Sequence, residues 1–228
     1  MRYVILSIDD SRKKYTDSIR RQLCDWEEVK VDCVNGNDKD QLDSAIEEFG
    51  VTIGPERKVG QIGCTLSTLR ALSADNEPVL ILNDDALLSE NFSEEFSRRL
   101  STLPEYDVFS AFIPRDHDWY FYSGVTLKDR ITNLENQHYS NGHPMFQSNG
   151  TTCRAYMRYG GVALYFTPNG KDKYLSMRHL EKQMDDALYL ANYHHTMKVY
   201  TSVPHLPDLA YITGTEDSIC QNTRLYYE

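Results

Sequence analysis

The sequence predicts an α/β protein, and three features carry that expectation. Tyr3–Ile8, interrupted only by Ser7, and Val79–Leu82 have the length of strands, and the second is apolar throughout, as in a strand buried on both faces. Segments with apolar residues every three or four positions lie between such runs, as helices require. Acidic residues follow both runs without a spacer: Asp9-Asp10 after the first, and Asp84-Asp85, preceded by Asn83, after the second. Alternating strands and helices build a mostly parallel sheet through right-handed crossovers. The carboxyl rim of such a sheet is where ligands bind.

Taken in order, the first strand leads to a helix ending near Leu23, with Tyr15, Ile19 and Leu23 on one face. Val29–Val34 reads as a second strand, Val29, Val31 and Cys33 alternating with Lys30 and Asp32. After the Asn35-Gly36-Asn37 turn, a second helix over Asp40–Phe49 buries Leu42, Ala45, Ile46 and Phe49 and closes on Gly50. Lys58–Ser67 opens a third helix that continues through Leu72. Its Gly60 and Gly63, each costing about 1 kcal/mol against Ala, suit a backbone that passes close to a ligand or to a neighbouring strand; simple packing against the sheet is the plainer reading.

Beyond the Val79–Leu82 strand, Ser89 reads as the cap of a helix carrying Phe92, Phe96 and Leu100. Val108–Ile113 is a strand, and residues 137–159 form a long functional loop rich in Gly, Asn, His and Ser. Val162–Phe166 is another strand. Pro168 opens a helix lined by Tyr174, Met177 and Leu180, and a further helix over Asp186–His195 carries Leu188, Leu190 and Ala191. Lys198–Val203 reads as the last strand. Residues 1–207 thus make one domain with halves at 1–111 and 112–207, and the acidic, aromatic 208–228 segment is a wrapped or loosely attached tail.

Composition narrows the function. A net charge of −10 over 228 residues argues against a surface coated for nucleic acid, although residues 112–198 carry net +2 and leave room for a local basic face. No run is long enough for a signal peptide or a membrane span, which points to the cytoplasm. The five cysteines are widely spaced, so neither a zinc site nor a disulfide framework is indicated. No Gly-Lys-Ser or Gly-Lys-Thr triplet makes a Walker-type loop, and the first strand lacks the glycines of a dinucleotide fingerprint.

Asp84 and Asp85 form a pair of hard oxygen ligands suited to Mg²⁺ or Mn²⁺ bridging phosphates; solvated turn formers ahead of a helix have the same pattern. His117 between Asp116 and Asp118 is a metal ligand set or plain surface. Trp119, Tyr120, Phe121 and Tyr122 suit stacking on a sugar or base ring, or a place in the core.

Gly60-Gln61-Ile62-Gly63-Cys64-Thr65-Leu66-Ser67, followed by Leu80-Ile81-Leu82-Asn83-Asp84-Asp85-Ala86, resembles the family 25 glycosyltransferases, which include bacterial lipooligosaccharide sugar transferases and collagen galactosyltransferases. The first strand with Arg12, Val34-Asn35-Gly36, and Gly160-Gly161-Val162-Ala163-Leu164-Tyr165 with Asn169-Gly170 resemble further parts of that family in order. Gln61 stands where the family usually has Glu, Thr68 where it has His, and Asn83 where it has an acid.

The resemblance implies a GT-A fold with one Rossmann-like sheet, a donor half (1–111) and an acceptor half (112–207). It implies a nucleoside diphosphate sugar, UDP-linked, as co-substrate and Mn²⁺ or Mg²⁺ on Asp84 and Asp85, with His205 completing the metal shell or serving as a packed or surface histidine. Ser7, Ile8, Asp9 and Arg12 would lie under the nucleoside or near the phosphates, with Gly60, Gln61 and Asn83 beside the donor. Independently of the resemblance, the 137–159 loop reads as a lid over the donor diphosphate, to which Arg154 and Arg158 would supply charge. Trp119, Tyr120, Gly160 and Gly161 would face the acceptor. Transfer with inversion needs a base, for which Asp185 and Asp186 are the candidates, one facing the cleft and the other capping the following helix; an ordinary helix start has the same pattern.

The expected acceptor is a saccharide hydroxyl, at the inner membrane as a peripheral enzyme or in the cytoplasm; hydroxymethylated phage DNA is the alternative, read through the basic 112–198 region. A cytidylyl- or phosphoryl-transferring enzyme and a catalytically dead sugar-nucleotide-binding module share the same acidic pair.

Overall fold

Period-two alternation builds the centre of the molecule. In β1 (Arg2–Leu6) Val4 and Leu6 point to one side of the sheet and Tyr3 and Ile5 to the other. β4 (Val79–Asn83) divides the same way, Val79 and Ile81 against Leu80 and Leu82, as does β9 (Ala163–Phe166), Leu164 and Phe166 against Ala163 and Tyr165. Both faces are apolar because both are covered by helices. The computed structural model describes residues 1–54, 57–112, 146–148, 152–155, 161–177, 179–180, 187–188, 191–192, 194, 196–202 and 209–212.

The remaining strands of the main sheet are β2 (Glu27–Glu28), β6 (Val108–Ser110), β7 (Phe146–Ser148), β8 (Thr152–Ala155) and β11 (Val199–Ser202). Their order is β2-β1-β4-β9-β6-β11-β8-β7. β2, β1 and β4 are parallel, as are β6 and β11, but β9 runs antiparallel between β4 and β6, and β8 and β7 add antiparallel pairs at the far end. The sheet is therefore mixed, which corrects the expectation of a mostly parallel one. The departure begins at β9, whose apolar run fits a doubly covered strand in either direction. Two small sheets stand apart, β3 (Thr52–Ile53) with β10 (His179–Leu180), and β5 (Ala86–Leu88) with β12 (Ala210–Ile212).

On one face lie α2 (Lys39–Phe49), α3 (Val59–Ser73) and α5 (Pro168–Leu175); on the other lie α1 (Lys13–Gln22) and α4 (Phe92–Ser101). α3 is the central helix, with ten of its fifteen residues buried. Its buried hydroxyls turn back on the helix: Thr65 and Thr68 donate to the carbonyls of Gln61 and Cys64, both at 2.9 Å. Phe92 and Phe96 of α4 pack with Trp26 in an aromatic group on the other face.

Several expected elements differ in detail. Residues 29–35 carry no ladder beyond β2: the Val29 amide donates to Tyr3, and the Val34 amide goes to the Ser67 hydroxyl of α3 at 2.8 Å, so the chain leaves the sheet edge for the helix. Ser89 does not cap α4: the helix starts only at Phe92, Asn91 takes the cap position, and Ser89 contributes its carbonyl to the Phe92 amide in the turn before it. α5 ends at Leu175, and Leu180 belongs to β10 instead. β11 is not the last strand: Ala210–Ile212 pairs with β5, and Leu209 and Ala210 are buried, so this part of the C-terminal segment is core. No helix among the described residues is long and apolar enough to cross a membrane.

Opposite the rim that carries the acidic pair, polar side chains lock the layers. Asp107, 1% exposed, accepts from Asn169 (2.6 Å), from Lys173 (2.7 Å) and from the Lys198 amide (2.8 Å), tying the starts of β6, α5 and β11. Gly170 lies so near the Asp107 carbonyl that a Cβ there would overlap it. Lys171, equally buried, donates to the carbonyls of Asp75 and Glu77, both at 2.8 Å. Replacing Asp107 by Ala strands three buried or half-buried donors and is expected to cost about 3 kcal/mol. Urea denaturation checks this; a loss under about 1 kcal/mol would mean that the donors find water at little cost.

Candidate functional site

The carboxyl ends of β1 and β4 lie side by side because the strands are parallel with Leu6 opposite Asn83. The chain turns sharply after each. Beyond β1, Asp9 accepts from the Ser11 amide at 2.7 Å and starts a single 3₁₀ turn, Asp10–Arg12. Beyond β4, Asp84 and Asp85 form the turn into β5. Arg12 is thereby carried across to the acidic pair. Its Nη1 lies 3.1 Å from Asp84 Oδ1 and 2.9 Å from Asp85 Oδ2. Ser7 Oγ donates to the other Asp84 oxygen at 3.2 Å.

The three charged side chains are only 11, 16 and 14% exposed for Arg12, Asp84 and Asp85, so salt screens the cluster weakly. With both carboxylates ionised it carries net −1. Burial works against the Arg12 charge, yet the two aspartates together hold its guanidinium above the ordinary value. At Asp84 the balance goes the other way: burial pushes its carboxyl up, Arg12 opposes, and Asp85 adds to the rise.

Two neighbours complete the rim. Cys33, half-buried, places its thiol against the Ser7 backbone and Ser67 and close to Asp84, and burial pushes that thiol up. Residues 34–36 then press on the start of α3. A Cβ at Gly63 would lie 2.7 Å from the Val34 carbonyl, and one at Gly36 would overlap the backbone of Val59 and Gly60. Gly63 and Gly36 leave room for this contact, so at Gly63 the close neighbour is the 34–36 segment, which carries no ladder, rather than a strand. Gln61 is a cap: its Oε1 accepts from the Lys58 amide at 3.4 Å. On the other side of β4, the Asn83 amide donates to Val162, just beyond Gly161, at 3.0 Å, while Asn83 Oδ1 is buried with no hydrogen-bond partner among the described residues. Ile8 stands 38% exposed at the rim, an apolar surface beside charged groups.

Of the residues expected to act together, Ser7, Arg12, Asp84 and Asp85 meet, with Ile8, Asp9, Asn83 and Gly161 at the same rim. Gly60 and Gln61 reach it only through residues 33–36. Arg154 belongs to β8, which stands four strands from β4, on the order of 19 Å at ordinary strand spacing. Trp119, Tyr120, Arg158, Gly160, Asp185, Asp186, His205 and the His117 segment lie outside the described residues. Phe112 and Ser202, from which the chain departs toward 113–145 and 203–208, stand at this same rim. Cys33 was not singled out as a site residue, although its alternation with Val29 and Val31 already gave it an inward face.

Among the described residues no group of three or more His, Cys, Asp and Glu side chains could hold a metal ion. No known protein family and no curated protein matches the chain.

The raised Asp84 carboxyl gives a direct check. Because its proton is held more tightly in the folded chain, its contribution to stability is full below the ordinary carboxylate value and is lost as pH rises through the raised one. A carboxyl-carbon NMR titration is expected to put the Asp84 midpoint above 3.8; a midpoint at or below that value would mean that Arg12 outweighs burial.

Proposed function

We propose that the chain is a glycosyltransferase that moves a sugar from a nucleoside diphosphate sugar, UDP-linked, to a saccharide hydroxyl, with the donor at the carboxyl rim of β1 and β4. The observation that carries this reading is the convergence of Ser7, Arg12, Asp84 and Asp85 from two parallel strand ends on one weakly exposed point. The ordered resemblance to family 25 glycosyltransferases supports it, and so does the buried, unsatisfied Asn83 oxygen, an acceptor that a ligand hydroxyl or N–H would satisfy.

A divalent ion fits the donor set under one condition. Two carboxylates that both reach one nitrogen at about 3 Å can both reach one ion, and two suffice when diphosphate oxygens and water supply the other ligands. When bound, Mn²⁺ or Mg²⁺ would neutralise the charge that develops on the departing nucleoside diphosphate. The chain's own groups would do the rest. Asp84 and Asp85 hold the ion, Ser7 fixes the orientation of Asp84, and the exposed Ile8 offers an apolar seat to the nucleoside base. The Arg12 fork matches phosphate oxygens. The acceptor hydroxyl requires a base, for which Asp185 or Asp186 stands as the proposal.

Asp85→Asn is expected to keep the fold and to lose Mn²⁺-dependent stabilisation by UDP-sugars in a thermal-shift panel, with turnover falling about a hundredfold or more. Unchanged donor binding and turnover in that variant would refute the site. A wild-type chain that no nucleoside diphosphate sugar stabilises, with or without Mn²⁺, would refute the function.

A further inference from the structure

We infer that Arg12 is the resident counter-cation of the Asp84–Asp85 pair, and that a divalent ion takes its place only when a nucleoside diphosphate arrives to receive the guanidinium. The inference rests on the donor-site reading and adds to it a rule for how the site fills.

The geometry leads there in three steps. Arg12 Nη1 occupies the one point that both carboxylates share, 3.1 Å from Asp84 and 2.9 Å from Asp85. An ion ligated by both aspartates must have oxygens at little more than 2 Å, roughly 2.0–2.2 Å. It cannot take that point while the guanidinium stays, because two cations would then crowd one weakly exposed position. Metal alone therefore has to evict Arg12 and leave a half-buried guanidinium without its two anions. A nucleoside diphosphate removes that penalty. It brings the anion that the Arg12 fork pairs with, and it supplies the oxygens that the two carboxylates leave open on the ion.

The position of Arg12 suits the exchange. It ends a short turn started by Asp9, and the residues on either side of it, Ser11 and Lys13, are exposed, so the turn that carries it lies at the surface and outside β1 and α1. Ser7 keeps its bond to the second Asp84 oxygen throughout and holds that carboxylate ready. The consequence is reciprocal coupling: the diphosphate tightens the metal, and the metal tightens the diphosphate by the same factor.

The test is Mn²⁺ binding, read from the electron paramagnetic resonance of the free ion, on the wild-type chain and on Arg12→Gln, which keeps a hydrogen-bond donor and removes the charge. Wild type is expected to bind Mn²⁺ weakly alone and about tenfold or more tightly with UDP. Arg12→Gln is expected to bind Mn²⁺ without nucleotide about tenfold more tightly than wild type does, with UDP adding little. Because removing Arg12 leaves two carboxylates unpaired, the melting temperature of each protein is followed as well. Mn²⁺ alone should raise it more in Arg12→Gln than in wild type, a readout that survives marginal stability, and Asp85→Asn added to Arg12→Gln should abolish the rise. If UDP tightens Mn²⁺ on wild type but Arg12→Gln binds the bare ion no better, the exchange is overturned and the donor site stands. If neither protein binds Mn²⁺ or UDP, the donor-site reading falls and the exchange falls with it.

Discussion

The parallel register of β1 on β4 is the constraint from which the candidate site follows. With Leu6 opposite Asn83, the two strands end at the same level, and each is followed at once by a turn. A shift of one residue would send Val4 and Leu6 to the face where Tyr3 and Ile5 now pack, so the two apolar clusters fix the register, and the register fixes the site. Arg12 and the acidic pair are far apart in sequence and meet because of this alignment. The packing of α3 against residues 34–36, through Gly36 and Gly63, then seats Cys33 beside Ser7 and closes one flank of the rim.

At that rim, burial and charge pairing oppose one another. Burial works against the charges at Arg12 and Asp84; Arg12 is held by both carboxylates, whereas each carboxylate is held by Arg12 against a like-charged neighbour. At Arg12 the pairing prevails and at Asp84 burial prevails. Such a cluster has little reason to exist for stability alone, since a buried ion pair returns little net free energy compared with apolar packing. The locks at the opposite rim are different. Asp107 and Lys171 have every partner within hydrogen-bond distance, and they hold β6, α5, β11 and the turn at residues 75–77 in place. One end of the sheet is tied by these bonds; the other carries an odd charge and, at Asn83, a buried acceptor with no hydrogen-bond partner among the described residues.

What was legible in the sequence was whatever depends on short-range pattern. The apolar run Val79–Leu82, the apolar start of the Tyr3–Ile8 run, the Gly50 cap of α2 and the Pro168 start of α5 are local signals, and the structure has all of them, with β1 ending at Leu6. Asp84 and Asp85 stood out because acidic residues directly after a buried strand have few other places to be. Long-range pairing was not legible. Nothing in Ala163–Phe166 says that it runs antiparallel between β4 and β6, since a strand covered on both faces reads the same in either direction. β5 was hidden because its three residues lack a period of their own and pair with Ala210–Ile212, more than a hundred residues away. The resemblance places Arg12 near the nucleoside or the phosphates; its contact with both aspartates depends on tertiary proximity and cannot be read from spacing.

The most direct measurement is hydrogen–deuterium exchange of the whole chain with and without UDP and Mn²⁺. A diphosphate held at the rim would slow amide exchange at residues 7–12 and 83–86, which come from the two parallel strand ends, and leave the Asp107 lock unchanged. Slowed exchange at both segments is the expected result. Bound nucleotide that leaves both segments exchanging as before, with protection elsewhere in the chain, would contradict the assignment of the donor to this rim.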